Sequence, residues 1–206
     1  EAEPYANRDP RLTKTIVLNG DAWPNDLAEY SADHPTVETY VGGYHSRTGN
    51  AAGKSYATPT GYYLKKFCNA NQILRARSGV SVTTSPHGWL TFRMGGMYLN
   101  YAESLFQYFK ACGNSNAADA SGSVNFSDAD GNQQTVNIPA SQTAAKIASK
   151  TRTRSGMPAF VTGMTNDEFW AKYKNERRVE LAFEGHRFYD IRRWMEDGEK
   201  FMKIHR

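Results

Sequence analysis

Three charged side chains in the last fifth of the chain stand at a spacing that invites chemistry. Arg177, Glu180 and Glu184 recur every three or four residues within 165–195. Such a spacing puts them on one side of a helix. Three uses compete for this face. Two carboxylates can serve as acid and base on a glycosidic bond, but they must flank the sugar at a controlled separation. Glu180 and Glu184, one turn apart on one helix, fit that poorly. A metal centre fits less well, since no second His or carboxylate cluster has ligand spacing. The third use is structural: a polar latch in which Arg177, Glu180 and Glu184 tie the helix to its neighbours, helped by Arg187 and a His186/Asp190 pair. The latch is the preferred reading, because strongly interacting charges are often structural.

The elements around these residues follow from local signals. Thr165 is a good N-cap, and Glu168 three positions on completes a capping box. Gly185 is a natural left-handed residue to end that helix. A second, short helix is expected from about His186 to Met195, ending near Gly198. At about 100° per residue, Phe169, Trp170, Tyr173 and Leu181 share the side occupied by Arg177, Glu180 and Glu184. Lys172, Lys174, Asn175 and Arg178 lie elsewhere and read as solvated. One cation and two carboxylates thus point where the core should be. Buried charges must be paired and hydrogen-bonded, or they cost several kcal/mol each.

A second region with binding chemistry is 21–60. No periodicity persists there, and Gly and Pro alternate with rings and histidines: Trp23, Tyr30, His34, Tyr40, Tyr44, His45 and Tyr56. Long irregular stretches in a compact domain are usually functional or disordered, and the interleaved aromatics argue against disorder. A ring beside hydrogen-bonding groups suits a ligand with an apolar face and hydroxyls. Trp23, Tyr40, Tyr44, His45 and Arg47 are the candidate ligand-binding residues. The competing reading for each ring is that it packs its own loop onto the body of the protein.

Elsewhere the chain reads mostly as helix and turn. Residues 12–18 suggest a short strand, followed by a turn at Asn19-Gly20-Asp21. Residues 61–69 could be a strand or a short helix. Residues 96–112 form a strong helix whose apolar residues cover an arc of about 200°, leaving Asn100, Glu103, Gln107 and Lys110 outside it. Residues 114–142 read as an insertion holding a hairpin, two short strands with Val124 and Phe126 before, and Val136 and Ile138 after, an Asp/Gly turn at 128–132. Asp128-x-Asp130-x-Asn132 resembles a calcium loop but lacks the acidic residue such loops need at their end. Residues 141–151 suggest a modest helix. Cys68 and Cys112 have no metal-type partners. A disulfide between them stays open, with two buried thiols the favoured reading, because Cys112 falls on the apolar face of its helix.

Composition excludes some classes. The net charge of +4 is spread along 206 residues without a dense Lys/Arg run, so nucleic-acid binding has no support. No run approaches the roughly 18 apolar residues of a membrane helix. No cofactor or metal is implied. The supply of rings, 12 Tyr, 10 Phe and 4 Trp, suits stacking on sugars as well as core packing.

Five segments in order, 7–12 (N-R-D-P-R-L), 61–66 (G-Y-Y-L-K-K), 97–105 (M-Y-L-N-Y-A-E-S-L), 152–158 (R-T-R-S-G-M-P) and 176–194 (E-R-R-V-E-L-A-F-E-G-H-R-F-Y-D-I-R-R-W), together resemble the SusD/RagB family of glycan-binding outer-membrane lipoproteins. The resemblance implies a mostly α fold of tetratricopeptide-like helical pairs with long irregular loops and a few short strands. It implies that residues 1–206 are a C-terminal portion of a SusD-like domain, with 96–112 and 165–195 in the helical body. It further implies non-catalytic capture of a glycan or oligosaccharide at the surface of a Bacteroidetes-type outer membrane, for delivery to a SusC-like TonB-dependent transporter. A lipid anchor on an N-terminal part would hold the parent protein there. Two alternatives stand beside this: a helical scaffold that docks on the transporter without its own sugar site, and a carboxylate-pair glycosidase.

Overall fold

The computed structural model describes residues 4–22, 34–49, 57–68 and 90–195. The chain divides into two compact units, 1–89 and 90–206. Among the described residues helices predominate.

In the first unit, helix α1 (Leu12–Thr15) leads directly into strand β1 (Ile16–Val17), which pairs antiparallel with β2 (Tyr63–Leu64). The strand expected over 12–18 is therefore mostly a helical turn. Asp9 explains the difference: its Oδ1 accepts the Arg11 N–H at 2.9 Å and its carbonyl accepts that of Leu12, so the chain is already turning when it reaches Leu12. Among the described residues of this unit, Val17, Leu18 and Val37 are the buried apolar ones.

The second unit is built on helix α2 (Met94–Ala111), packed on α3 (Ala144–Arg154) and α4 (Asn166–Glu180). Leu99, Ala102, Leu105, Phe106 and Phe109 bury one face of α2 against Ala144, Ile147 and Ala148 of α3 and Phe169 and Tyr173 of α4. The rings interlock: Phe106 stacks on Trp170 at 5.6 Å, and Trp170 on Tyr173 at 5.3 Å. The apolar arc of α2 is not fully covered. Met94, Met97 and Tyr101 stay exposed, whereas Glu103, expected on the solvated side, is buried.

Helices α2 and α3 stop by the same device. Gly113 and Gly156 take left-handed conformations, and the next residue's N–H returns to a carbonyl five residues back, Asn114 to Phe109 and Met157 to Arg152, both at 3.0 Å. Cys112 caps α2 and is exposed; Cys68 is exposed too, and both thiols are free. The expected burial of Cys112 fails because the helix ends one residue before it, and the cap turns the side chain outward.

Between α2 and α3, β3 (Gly122–Ser127) and β4 (Gln133–Ile138) form an antiparallel hairpin whose partners include Val124 with Val136. Asp128 closes its turn, accepting the N–H groups of Asp130 and Asn132 at 3.0 and 2.9 Å. Hydrogen bonds from Gln134 and from Asn132 hold its carboxyl below the usual range. The Asp-x-Asp-x-Asn spacing thus builds a turn. No group of three or more metal-ligating side chains is gathered among the described residues. No helix among them is long and apolar enough to cross a membrane.

Helix α4 begins at the expected capping box, Thr165 Oγ1 accepting the Glu168 N–H at 3.3 Å while Glu168 Oε2 accepts the Thr165 N–H at 2.9 Å. It ends earlier than Gly185 suggests, at Glu180. Gly185, at φ 78°, instead precedes the last helix, α5 (His186–Arg193), as its N-cap. Because the box satisfies donors that the first turn of α4 leaves open, Thr165→Ala should lower stability by about 1 kcal/mol. Urea denaturation of the two proteins measures this, and an unchanged midpoint would remove the cap's role.

Candidate functional site

Arg93, just before α2, explains why α4 stops where it does. Its Nη2 donates at 2.6 Å to the Glu180 carbonyl oxygen, one of the last acceptors of the helix. The same guanidinium reaches Glu180 Oε1 at 2.5 Å and both oxygens of Glu184, from Nε at 2.8 Å and from Nη2 at 2.7 Å. Glu184 therefore lies in the turn after the helix, not on its face. Arg154 adds a bond to Glu180 Oε1 at 2.7 Å. Gly95 leaves room for this bridge, since a Cβ there would stand 2.7 Å from Glu180 Oε1. Burial works against the charge on Arg93, yet the bonds to Glu184 and Glu180 hold its pKa above the ordinary value.

Arg177 belongs to a separate set. Its Nε donates to Asp190 Oδ2 and its Nη1 to Asn100 Oδ1, each at 2.7 Å. Asp190 Oδ1 accepts from Arg193 Nη2 at 3.0 Å, and Arg193 also forks onto Glu103. Glu103 takes two further donors, Tyr173 OH at 3.0 Å and Trp194 Nε1 at 2.8 Å. Burial pushes the Tyr173 hydroxyl's pKa up, with Glu103 adding to it, so this phenol stays a donor. Glu176, 1% exposed, takes Thr151 Oγ1 at 2.7 Å and Arg152 Nη1 at 3.3 Å.

The expected His186/Asp190 pair is not made: both Asp190 oxygens face arginines. Arg187 is exposed, its guanidinium 6.0 Å from the Trp194 ring. Glu103, Glu176, Arg93 and Arg193 escaped the sequence reading. Their signal was a capping or helix-end arginine and a carboxylate beside apolar neighbours, and neither pattern says which partner lies across the fold.

The aromatic loop lies in the first unit. Trp23 is outside the described residues. Residues 34–49 form a tight turn organised by Glu38. One Glu38 oxygen faces His34 Nδ1 at 3.3 Å, and the other accepts the Tyr44 N–H at 3.1 Å. The Glu38 N–H donates to His45 Nδ1 at 3.1 Å, and the Glu38 carbonyl accepts the His45 N–H at 2.9 Å. A neutral His45 with an accepting Nδ1 carries its proton on Nε2. Gly43 must be glycine, because a Cβ would meet the Glu38 carbonyl oxygen at 2.7 Å. Tyr63 on β2 donates to the His45 carbonyl at 2.7 Å, tying the turn to the strand pair.

The rings of this turn are partly committed. Tyr44 stacks on His34 at 3.8 Å, with His45 edge-on at 5.1 Å, and is half-buried. Tyr40 is 58% exposed, and Arg47 is exposed. The Tyr44 N–H, then His34, holds the Glu38 carboxyl below its usual range, while burial lowers the pKa of His45. The turn thus carries Tyr40, Tyr44, His45 and Arg47 within a span of eight residues.

Compared with known proteins, the chain matches the family model described as the SusD family over residues 1–205. No curated protein and no solved structure matches it.

Two outcomes check this geometry. Glu180→Ala removes the buried carboxylate that Arg93 Nη1 and Arg154 Nη2 share, so it should cost about 1.5 to 3 kcal/mol, read by chemical denaturation. A loss under about 1 kcal/mol would make the bridge equivalent to an exposed pair. The His45 ring should titrate below the free imidazole's 6.5 in a proton-NMR pH series. Its contribution to stability is then fully present above about pH 6.5 and fades as pH falls through the lower folded value. A midpoint at or above 6.5 would contradict the burial argument.

Proposed function

This chain belongs to the SusD family, and we propose that it takes part in capturing oligosaccharides at an outer-membrane surface. A SusC-like, TonB-dependent transporter would receive the captured glycan, and a lipid anchor on an N-terminal part of the parent protein would keep it at the surface. Membership in a generally non-catalytic, carbohydrate-binding family over residues 1–205 is the observation that carries this reading.

The chemistry of the two candidate regions agrees with it. Glu180 and Glu184 both bind Arg93, and Glu180 is 3% exposed. Neither is poised to protonate a leaving group while the other meets an anomeric carbon, as a glycosidase requires. The latch residues Arg177, Glu180, Glu184 and Asp190 act as scaffold. Glycan contact falls to the turn at 34–49, where Tyr40, Tyr44, His45 and Arg47 supply a platform and hydrogen bonds, with Trp23 as a further contact. A stacked ring and a few hydroxyl bonds give modest affinity, which suits a protein that must hand its ligand on.

One observation favours the scaffold reading, in which the protein docks on the transporter without a sugar site of its own. The Tyr44 ring already stacks on His34 and is only half exposed. Affinity electrophoresis against a panel of polysaccharides separates the readings. The protein should be retarded by at least one polysaccharide without shortening its chains. A Tyr40→Ala, Tyr44→Ala, Arg47→Ala triple variant should lose about tenfold in affinity. Retardation that survives all three substitutions would move the glycan away from this turn, and shortened chains would restore the glycosidase reading.

A further inference from the structure

Helices α2 and α5 enclose an open groove of about 610 Å³, within the range of small-ligand sites. Its α2 wall is Asn100, Ser104 and Gln107, at the four- and three-residue steps that place side chains in one row. Its α5 wall is His186, Tyr189 and Arg193, again in one row. Its floor is the ion-pair set of Arg177, Asp190, Arg193 and Glu103.

That floor is charged but balanced. Two guanidiniums meet two carboxylates, and every carboxylate oxygen already accepts at least one hydrogen bond. It offers no surplus positive charge to an anion and no open carboxylate to a cation. The α2 wall is different. Arg177 holds Asn100 Oδ1 at 2.7 Å, so the amide nitrogen is the group Asn100 offers outward. Ser104 Oγ spends its proton on the Asn100 carbonyl at 3.0 Å, so its oxygen is left to accept. Gln107 is exposed and offers both a donor and an acceptor. A donor, an acceptor and a group that does both suit the vicinal hydroxyls of a sugar, each of which donates and accepts. Opposite them the Tyr189 ring is 70% exposed and supplies an apolar face.

We propose that this groove between α2 and α5 is a second carbohydrate-contacting site, accepting a neutral sugar residue stacked against Tyr189 and hydrogen-bonded by Asn100, Ser104 and Gln107. It extends the sugar-binding reading to a face that the aromatic turn does not include. The buried ion pairs beneath give the site its rigidity: Arg177 fixes the Asn100 amide, and Arg193 is held by Glu103 and Asp190.

Photo-crosslinking with peptide mapping tests it. The probes are diazirine-tagged neutral oligosaccharides of glucose, xylose, mannose and galactose, with tagged oligogalacturonate as the acidic comparison. Expected is labelling of peptides within 100–107 and 186–193 by at least one neutral probe, competed by its untagged form. A Gln107→Ala, Tyr189→Ala double variant should lose about tenfold of that labelling. Both residues are exposed, so its thermal midpoint should stay near that of the parent protein. Labelling confined to 34–49 would overturn the groove while leaving the proposed function standing. Labelling of the groove alone would uphold it and displace the aromatic turn. Labelling by oligogalacturonate only, or by no probe, would overturn it.

Discussion

The second unit depends on matching buried carboxylates to guanidiniums. Glu103, Glu176, Glu180 and Asp190 are all at most 7% exposed, and each meets an arginine: Arg193, Arg152, Arg93 with Arg154, and Arg177 with Arg193. An unmatched charge at any of these positions would cost more than a typical mutation does. The pairs therefore fix which helix faces which. Arg93 at the start of α2 is tied to the end of α4, and Arg177 on α4 is tied to Asp190 on α5. Apolar packing among Phe106, Phe169, Trp170 and Tyr173 supplies cohesion, but it would tolerate a slide of one helix on another more readily than directional, bidentate pairs do.

The same constraint sets the local geometry. Arg93 takes the last carbonyl of α4 and so ends that helix five residues before the glycine that looks like its stop. Gly185 is then available to begin α5, and Asp190 arrives where it can meet both Arg177 and Arg193. Tyr173 and Trp194 complete the donors around Glu103. The result is a rigid polar layer between α2, α4 and α5 with open space above it. Rigidity of that kind benefits any site built on it, because the ligand does not have to order the groups that hold it.

In the first unit one carboxylate plays the equivalent part on a smaller scale. Glu38 gathers His34, Tyr44 and His45 with its side chain and backbone, and Gly43 allows the chain to pass close beneath. The turn is thus an ordered element with rings at defined angles, and acidification weakens it, since both Glu38 and His45 have pKa values lowered by the fold. The protein carries two polar constructions of different size, and the proposed sugar contacts would draw on both.

Local rules were enough for what neighbouring residues decide. The capping box at Thr165, the glycine stop at Gly113, the hairpin between Val124 and Val136, and the mostly helical class are written in short spacings, because backbone hydrogen bonding is satisfied within a few residues. The five segments that resemble the SusD family were equally legible, and they lie within the residues 1–205 over which the family model matches. That Arg177 and Glu180 face inward could be read from periodicity, whereas Glu184 falls in the turn after the helix. Their partners could not, because Arg93 is 87 residues from Glu180 and Asn100 is 77 from Arg177. Nothing local says which charge will cancel which. The same reason hid the burial of Glu103, which looks solvated on its own helix and is buried only because Tyr173, Arg193 and Trp194 close over it. The groove between α2 and α5 belongs to the same class: its two walls are separate rows of residues in the sequence, and only tertiary packing sets them face to face.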